Sequence, residues 1–126
     1  KGEYIINIDA DEIPYKQLMV NLKTILESNP TIDLYYVPRV NTVDGLTEEH
    51  VKRWGWTVDN QGWVNFPDWQ GRIWRNRPNI RWENAVHERL VGFKEYTNLP
   101  AEKEYSFIHH KDIKKQEKQN EFYGDI

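Results

Sequence analysis

The stretch Gly2-Glu3-Tyr4-Ile5-Ile6-Asn7-Ile8-Asp9-Ala10-Asp11-Glu12 is the most informative part of this sequence. Residues 3–9 predict a short strand that is apolar on both faces, as in a central strand of an α/β sheet. Three carboxylates follow within four residues. Ligands of open α/β sheets bind beyond the carboxyl ends of the strands. The acidic cluster therefore lies where a ligand site is expected.

The alternation in Asp9-Ala10-Asp11 predicts a divalent-cation site. In an extended chain, every second side chain leaves the same side, so two carboxylates can reach one ion or its water shell. Hard cations such as Mg²⁺ or Mn²⁺ prefer oxygen ligands. Acidic residues also cap helix N-termini, where they meet a partial positive charge. The cluster by itself is compatible with both interpretations.

The remaining pattern predicts one α/β domain over residues 1–126, with a mixed sheet and flanking helices. An amphipathic helix is expected at 14–28, with Pro14 in its first turn. A second strand is expected at 33–41, where Pro38 indicates an edge or a bulge. One or two helical turns are expected from Thr47 to Trp54, with Thr47 as the cap. Further strands are expected at 68–76, 80–83, 86–91 and 105–109, and a polar helix at 111–123.

Composition excludes several classes of function. The chain of 126 residues contains no cysteine, which excludes disulfides and thiolate metal sites and favours a cytoplasmic location. A net charge of −3 gives no general attraction to nucleic acid. No apolar run is long enough for a transmembrane segment. The sequence starts at Lys1, directly before the first strand, so we expect it to be a piece of a longer chain.

Aromatic residues make up 13% of the chain, and Trp54, Trp56, Trp63 and Trp69 lie close together in sequence. Indole rings flanked by amide side chains suit the apolar faces and polar rims of sugars, so these four are candidate acceptor-binding residues. Unpaired bases also stack on such rings, but this stretch contains no lysine or arginine. The alternative is that the rings form a packing cluster.

Several motifs follow one another along the chain. The first is the strand with its D-x-D element, and the others are Val37-Pro38-Arg39-Val40-Asn41, Pro67-Asp68-Trp69-Gln70-Gly71-Arg72-Ile73-Trp74-Arg75-Asn76, Val86-His87-Glu88 and Ile108-His109-His110. In this order they resemble the motifs of family 2 glycosyltransferases of the GT-A fold, in the branch that includes lipopolysaccharide-core glucosyltransferases. Members of the family carry a Rossmann-like, nucleotide-binding half before this point. The resemblance therefore implies a partial GT-A fold, the metal and acceptor-side half.

The resemblance also implies an inverting, metal-dependent hexosyl transfer from a nucleotide-diphosphate sugar donor to a saccharide acceptor. Asp9 and Asp11 would hold Mn²⁺ or Mg²⁺ and the donor diphosphate, with His87 and His109 as further candidate ligands. Glu88 in the V-H-E element is the candidate general base, with Asp68 and Glu83 as alternatives. Arg72 and Arg75 are candidates for donor phosphate contacts.

Each of these residues also has a structural interpretation. Glu88 could pair with a neighbouring arginine at the surface, and a histidine in a strand is often a hydrogen-bonded structural residue. Two rival functions stay open. One is a non-catalytic carbohydrate-binding module. The other is a Mg²⁺-dependent phosphatase of the haloacid dehalogenase type, although Ile13 stands where that family has Thr or Val.

Overall fold

The computed structural model describes residues 2–83 and 89–112. The described elements comprise nine strands, two α-helices and one short 3-10 helix at Lys103–Tyr105. In chain order they are β1 Tyr4–Ile6, β2 Glu12–Pro14, α1 Lys16–Ser28, β3 Leu34–Val37, β4 Arg39–Asp44, α2 Glu48–Trp54, β5 Gln70–Arg75, β6 Arg81–Glu83, β7 Arg89–Val91, β8 Tyr96–Asn98 and β9 Phe107–Asp112. The α/β fold class expected from the sequence is confirmed at this level.

The described strands form three sheets. The largest has the order β1-β5-β3-β8, in which β5 is antiparallel to both of its neighbours and β8 is parallel to β3. The second has the order β2-β9-β4, with β9 antiparallel to β2 and parallel to β4. Strands β6 and β7 form an antiparallel pair. Among the described residues β1 is an edge strand rather than the central strand that its apolar pattern predicts.

Pro38 is the point at which the chain passes from the first sheet to the second. It lies between β3 and β4, is fully buried, and its carbonyl accepts a hydrogen bond from the Phe107 N–H at 3.0 Å. The single strand expected at 33–41 is therefore two strands, because proline has no N–H with which to continue a ladder. The division brings β4 beside β9, and these strands carry the polar residues described below.

Apolar side chains pack on both faces of the larger sheet. On one face Leu18 of α1 is buried with Tyr35 and Ile73, and Leu22 and Ile25 extend the contact. This 3.6-residue spacing is why residues of α1 form one apolar stripe. On the other face, a second cluster contains Leu34, Trp74 and Ile80, with Leu90 and Phe93 packed against it.

Helix α2 begins and ends as its sequence predicts. The Thr47 side chain accepts a hydrogen bond from the His50 backbone N–H, and the Thr47 backbone N–H donates to Nδ1 of the His50 ring. Gly55 ends the helix in the left-handed conformation, with φ of 66°. The predicted helix at 111–123 begins with Lys111 and Asp112, which belong to β9 instead. The rest of it lies outside the described residues.

Candidate functional site: the acidic turn after the first strand

The chain turns sharply between β1 and β2, and this acidic turn contains Asp9, Asp11 and Glu12. The Glu12 N–H donates to the Asp9 carbonyl at 3.0 Å, and the Asp9 N–H donates to Glu12 Oε1 at 3.0 Å. The turn separates the three acids by environment. The Glu12 side chain is 0% exposed, whereas the side chains of Asp9 and Asp11 are 49% and 52% exposed.

Two arginines from different sheets, Arg72 on β5 and Arg39 on β4, neutralise the buried Glu12 carboxylate. Glu12 Oε2 accepts from Arg72 Nη2 at 2.9 Å and from Arg39 Nη1 at 3.1 Å. Arg72 also donates to both oxygens of Asp9, at 3.1 and 3.0 Å, in the paired geometry that suits a guanidinium and a carboxylate. Arg72 therefore holds the exposed Asp9 and the buried Glu12 in one arrangement.

Asp68 receives hydrogen bonds from three side chains. Arg39 donates to Asp68 Oδ2 from Nε at 3.0 Å and from Nη2 at 2.8 Å. Asn41 donates to the same oxygen at 2.9 Å, and Gln70 donates to Oδ1 at 3.0 Å. Burial alone would lower the pKa of Arg39, but the carboxylates of Asp68 and Glu12 outweigh that effect and raise it. Asp68 is thus occupied as an acceptor, which argues against it as a general base.

His109 on β9 connects Asn41 with Asp11. Its Nε2 lies 2.9 Å from Asp11 Oδ2, and its Nδ1 lies 2.8 Å from Asn41 Oδ1. The Asn41 amide nitrogen already faces Asp68, which fixes the amide oxygen toward the histidine. Both ring nitrogens of His109 therefore have hydrogen-bond partners, one on the acidic turn and one on β4.

These contacts form one continuous set, here called the acidic-turn network. It runs from Asp9 to Asp11 through buried and half-buried side chains, and its members are Asp9, Arg72, Glu12, Arg39, Asp68, Gln70, Asn41, His109 and Asp11. The two residues of the D-x-D element are thus the exposed ends of a network whose other members are buried or half-buried. Their carboxylates face solvent while their backbone and side-chain positions are fixed from behind.

The pKa values of both exposed acids are lowered. Hydrogen bonds from Arg72 are the main cause for Asp9, and the hydrogen bond from His109 is the main cause for Asp11. In each case partial burial opposes the shift. Because the ionised form is favoured in the folded chain, each group stabilises the fold fully above 3.8, the ordinary pKa of an aspartate. That contribution is lost as the pH falls through the lower pKa of the folded state.

We expect Asp9 to stay ionised below pH 3.8, where an ordinary aspartate becomes protonated. Carboxyl ¹³C NMR across an acid titration measures this directly. In Arg72→Lys, which replaces the paired guanidinium contact with a single ammonium, the pKa of Asp9 should move back toward 3.8 while that of Asp11 stays in place. A wild-type Asp9 that titrates at or above 3.8 would contradict this assignment.

Two exposed carboxylates are the groups of the acidic turn that have the chemistry of cation ligands. Among residues 2–83 and 89–112, no three His, Asp or Glu side chains lie together as a metal site. Asp9 and Asp11 supply two half-exposed carboxylates, and Mg²⁺ typically binds through one or two carboxylates together with waters and substrate phosphates. In this arrangement His109 Nε2 donates to Asp11, so the ring supports that carboxylate from behind.

Two cavities open beside the network. The Trp69 cavity, of about 440 Å³, has Asp9 and Arg72 in its wall together with aromatic and amide side chains. The His109 cavity, of about 180 Å³, is lined by Asp68, Asn41, His109 and Trp56, among others. A larger apolar cavity of about 530 Å³ lies at α2 and contains none of the acidic-turn residues. The first two have the mixed polar and aromatic lining that binding sites use.

The four predicted acceptor-binding tryptophans are all half-buried but do not share one surface. Trp69 and Trp56 line the Trp69 and His109 cavities respectively. Trp54 packs against Trp56 with ring centres 4.7 Å apart, and Trp63 packs against Phe66 at 4.8 Å. The structure therefore brings Trp56 and Trp69 to the candidate site, and Trp54 reaches it only through Trp56.

The two predicted donor-binding arginines have different surroundings. Arg72 belongs to the acidic-turn network, whereas Arg75 donates to the carbonyls of Pro30 and Ile32 and lies 3.4 Å from Asp33 Oδ1. Arg75 also stacks over Tyr4, at 4.9 Å from the ring centre. The structure does not bring Arg75 to the acidic turn, because the two arginines lie at different positions along β5.

His87 and Glu88, the predicted metal ligand and general base, lie outside the described residues. Glu83, an alternative base, forms a surface pair with Arg81 at 3.0 Å, with both side chains exposed. Sequence reasoning missed the supporting roles of Glu12 and Asn41 and the presence of Trp82 and Arg89 in the Trp69 cavity. The matched motifs contain Asn41, but only the pairing of β4 with β9 shows that it contacts His109.

Neither of the described helices has the length and apolar character that crossing a bilayer requires. No protein-family model, curated protein or solved structure matches this chain.

Proposed function

We propose that this chain is the metal- and acceptor-side half of an inverting, GT-A-type glycosyltransferase of family 2. It would transfer a hexose from a nucleotide-diphosphate sugar to a saccharide acceptor. The observation that carries the proposal is the acidic turn. The two D-x-D carboxylates are half-exposed, ionised and fixed by Arg72 and His109, next to a cavity that contains Trp69.

In this proposal one set of residues binds the cation and a different residue takes the proton of the acceptor hydroxyl. Asp9 and Asp11 hold the divalent cation, which, when bound, offsets the charge of the departing diphosphate. Arg72 and His109 keep the two carboxylates ionised and oriented. The acceptor lies in the Trp69 cavity, where its hydroxyl needs a base. Glu88 has that role by the resemblance of Val86-His87-Glu88 to the family motif.

A carbohydrate-binding module without catalytic activity is the second candidate. The tryptophans that line both cavities favour it, since such rings suit sugars whether or not transfer follows. A module of this kind has no use for a cation or a nucleoside diphosphate. Binding of these two together therefore separates the candidates.

We expect Asp11→Asn to weaken Mn²⁺-dependent binding of uridine diphosphate about 10- to 100-fold, measured by calorimetry on the full-length protein. The reason is the loss of one charged ligand contact, which typically contributes about 1.5–3 kcal/mol. Asp44→Asn is the matched control, because Asp44 also accepts from a histidine, His110, at 2.9 Å but lies outside both cavities. Equal affinities of wild type and Asp11→Asn for uridine diphosphate in the presence of Mn²⁺ would contradict the proposal.

A further inference from the structure

The Trp69 cavity has an aromatic wall that sequence reasoning did not anticipate. Trp82 on β6 lines it together with Tyr36 and Trp69. Trp82 is 41% exposed, yet its ring packs perpendicular to that of Trp74, with ring centres 5.5 Å apart and an interplanar angle of 90°. A large ring that is fixed in orientation and open to a cavity presents a face for stacking rather than a mobile surface group.

Charged side chains also line the Trp69 cavity: the carboxylate of Asp9 and the guanidinium groups of Arg72 and Arg89. The two arginines differ in their ion pairs. Arg72 is 9% exposed at the side chain and is paired with Asp9 and Glu12. Arg89 on β7 is exposed, and within residues 2–83 and 89–112 no acid forms an ion pair with it. Arg81, on the paired strand, is instead paired with Glu83 at 3.0 Å. Among the described parts of the chain, Arg89 is thus a guanidinium at the cavity whose donors are available.

Amide side chains complete the cavity. Asn7 and Gln70 both line it, and Gln70 Nε2 is engaged by Asp68 so that its position is fixed. Stacking faces, amides and one available guanidinium together suit a sugar ring that carries a negatively charged substituent. A neutral sugar would offer Arg89 no charge to pair with.

We propose that the Trp69 cavity binds an anionic saccharide acceptor, with the ring against Trp82 and Trp69 and the charged substituent against Arg89. The inference rests on the proposed transferase function and specifies its acceptor class. A carboxylate, as in a uronic acid, and a phosphate ester offer the same chemistry to a guanidinium. The donor diphosphate differs from this ligand in needing the cation at Asp9, which also lines the cavity, whereas the charged substituent of the acceptor needs only Arg89.

The test compares three probes on the full-length protein: methyl β-glucuronide, glucose 6-phosphate and neutral methyl β-glucoside. Binding is followed by ¹H–¹⁵N NMR of the tryptophan indole groups, with the Trp82 signal assigned from Trp82→Phe. We expect the anionic probes to bind about five- to tenfold more tightly than the glucoside at low salt, and the difference to shrink as salt screens the contact. The stronger of the two anionic probes identifies carboxylate or phosphate as the natural substituent.

Two variants and one matched control show which side chains contact the probes. Arg89→Gln should remove the preference for the anionic probes and leave the glucoside affinity unchanged, whereas the matched variant Arg81→Gln should keep it. Trp82→Ala should weaken all three probes. Equal affinities for charged and neutral probes in the wild type would overturn the inference, and so would retention of the preference in Arg89→Gln.

Failure of this inference is distinguishable from failure of the proposed function. Mn²⁺-dependent binding of uridine diphosphate is measured in the same samples, and Arg89→Gln should leave it unchanged. If Arg89→Gln instead weakens that binding, Arg89 belongs to the donor site and the acceptor inference is wrong. If the anionic probes bind as expected while uridine diphosphate does not bind, the cavity inference stands and the transferase proposal fails.

Discussion

Gly92→Ala should lower the free energy of unfolding by roughly 2–5 kcal/mol, the sum of a conformational and a packing cost. Gly92 follows β7 with φ of +86°, where an added Cβ would lie 1.6 Å from the Asn79 carbonyl oxygen and 2.5 Å from the Asn79 carbonyl carbon. The left-handed conformation alone costs a non-glycine residue about 1–2 kcal/mol, and overpacking adds about 1–3 kcal/mol. The obstacle is backbone, so the clash can be relieved only by moving the β6–β7 pair.

Gly62→Ala is the matched control for this effect. Gly62 has a similar φ of +81° but nothing lies within 4 Å of the position of its Cβ. Its replacement should therefore cost only the conformational part, about 1–2 kcal/mol. Urea unfolding with an unchanged m-value measures both variants. Equal losses in the two would mean that the contact with Asn79 contributes nothing.

Glu12→Gln should destabilise the fold by about 3–5 kcal/mol, the usual cost of removing one partner from a buried ion pair. The change preserves size but removes the charge between Arg72 and Arg39, whose side chains are 9% and 20% exposed. Both guanidinium groups would keep only Asp9 and Asp68 as charged partners. Thermal and urea unfolding of the purified variant measure the loss.

Glu27→Gln provides the surface comparison for Glu12→Gln. Glu27 is 68% exposed at the side chain and lies 4.0 Å from Lys23 one helical turn away. Such exposed helix pairs contribute about 0.3–0.5 kcal/mol, so the variant should be close to wild type in stability. If Glu12→Gln is also within roughly 0.5 kcal/mol of wild type, the range of a surface pair, the acidic-turn network is not a stabilising element.

Local sequence patterns predicted those elements whose sequence signals are local. The apolar spacing of Leu18, Leu22 and Ile25 predicted α1, and its bounds in the structure begin two residues after the expected start at Pro14. Thr47 predicted the start of α2, because its side chain can reach the N–H three residues on. Both signals depend on neighbours within one turn, so no knowledge of the rest of the chain was needed.

Elements that depend on distant partners were missed. Glu12–Pro14 reads as the approach to a helix, yet it forms β2 because β9 pairs with it through Phe107, Ile108 and His109. Tyr96–Asn98 forms β8 because β3 offers a free parallel edge. Neither segment has a strong periodic pattern of its own. Strand pairing over such distances is a property of the tertiary fold.

The sequence predicted Asp9 and Asp11 at the end of the first strand, whereas β1 ends at Ile6 and both acids lie in the turn that follows. It did not predict that the third acid, Glu12, is buried as a structural partner of two arginines. Arg72 and Arg75 look equivalent in sequence, and only their contacts separate them. Spacing along the chain reveals which residues come near a turn, but not which of them point inward.

Strand β9 lies between β2 and β4, and it holds His109 against Asp11, which is 98 positions earlier in the chain. During synthesis the N-terminal part of the chain emerges first. Asp11 therefore has no contact with His109 until nearly all of residues 2–112 have been made. In refolding, a contact of such long sequence separation carries a large entropic cost of loop closure. A nascent chain that stops before β9 would therefore carry every acid of the turn and still lack the contact between Asp11 and His109. The acidic-turn network is complete only when the last described strand has been made.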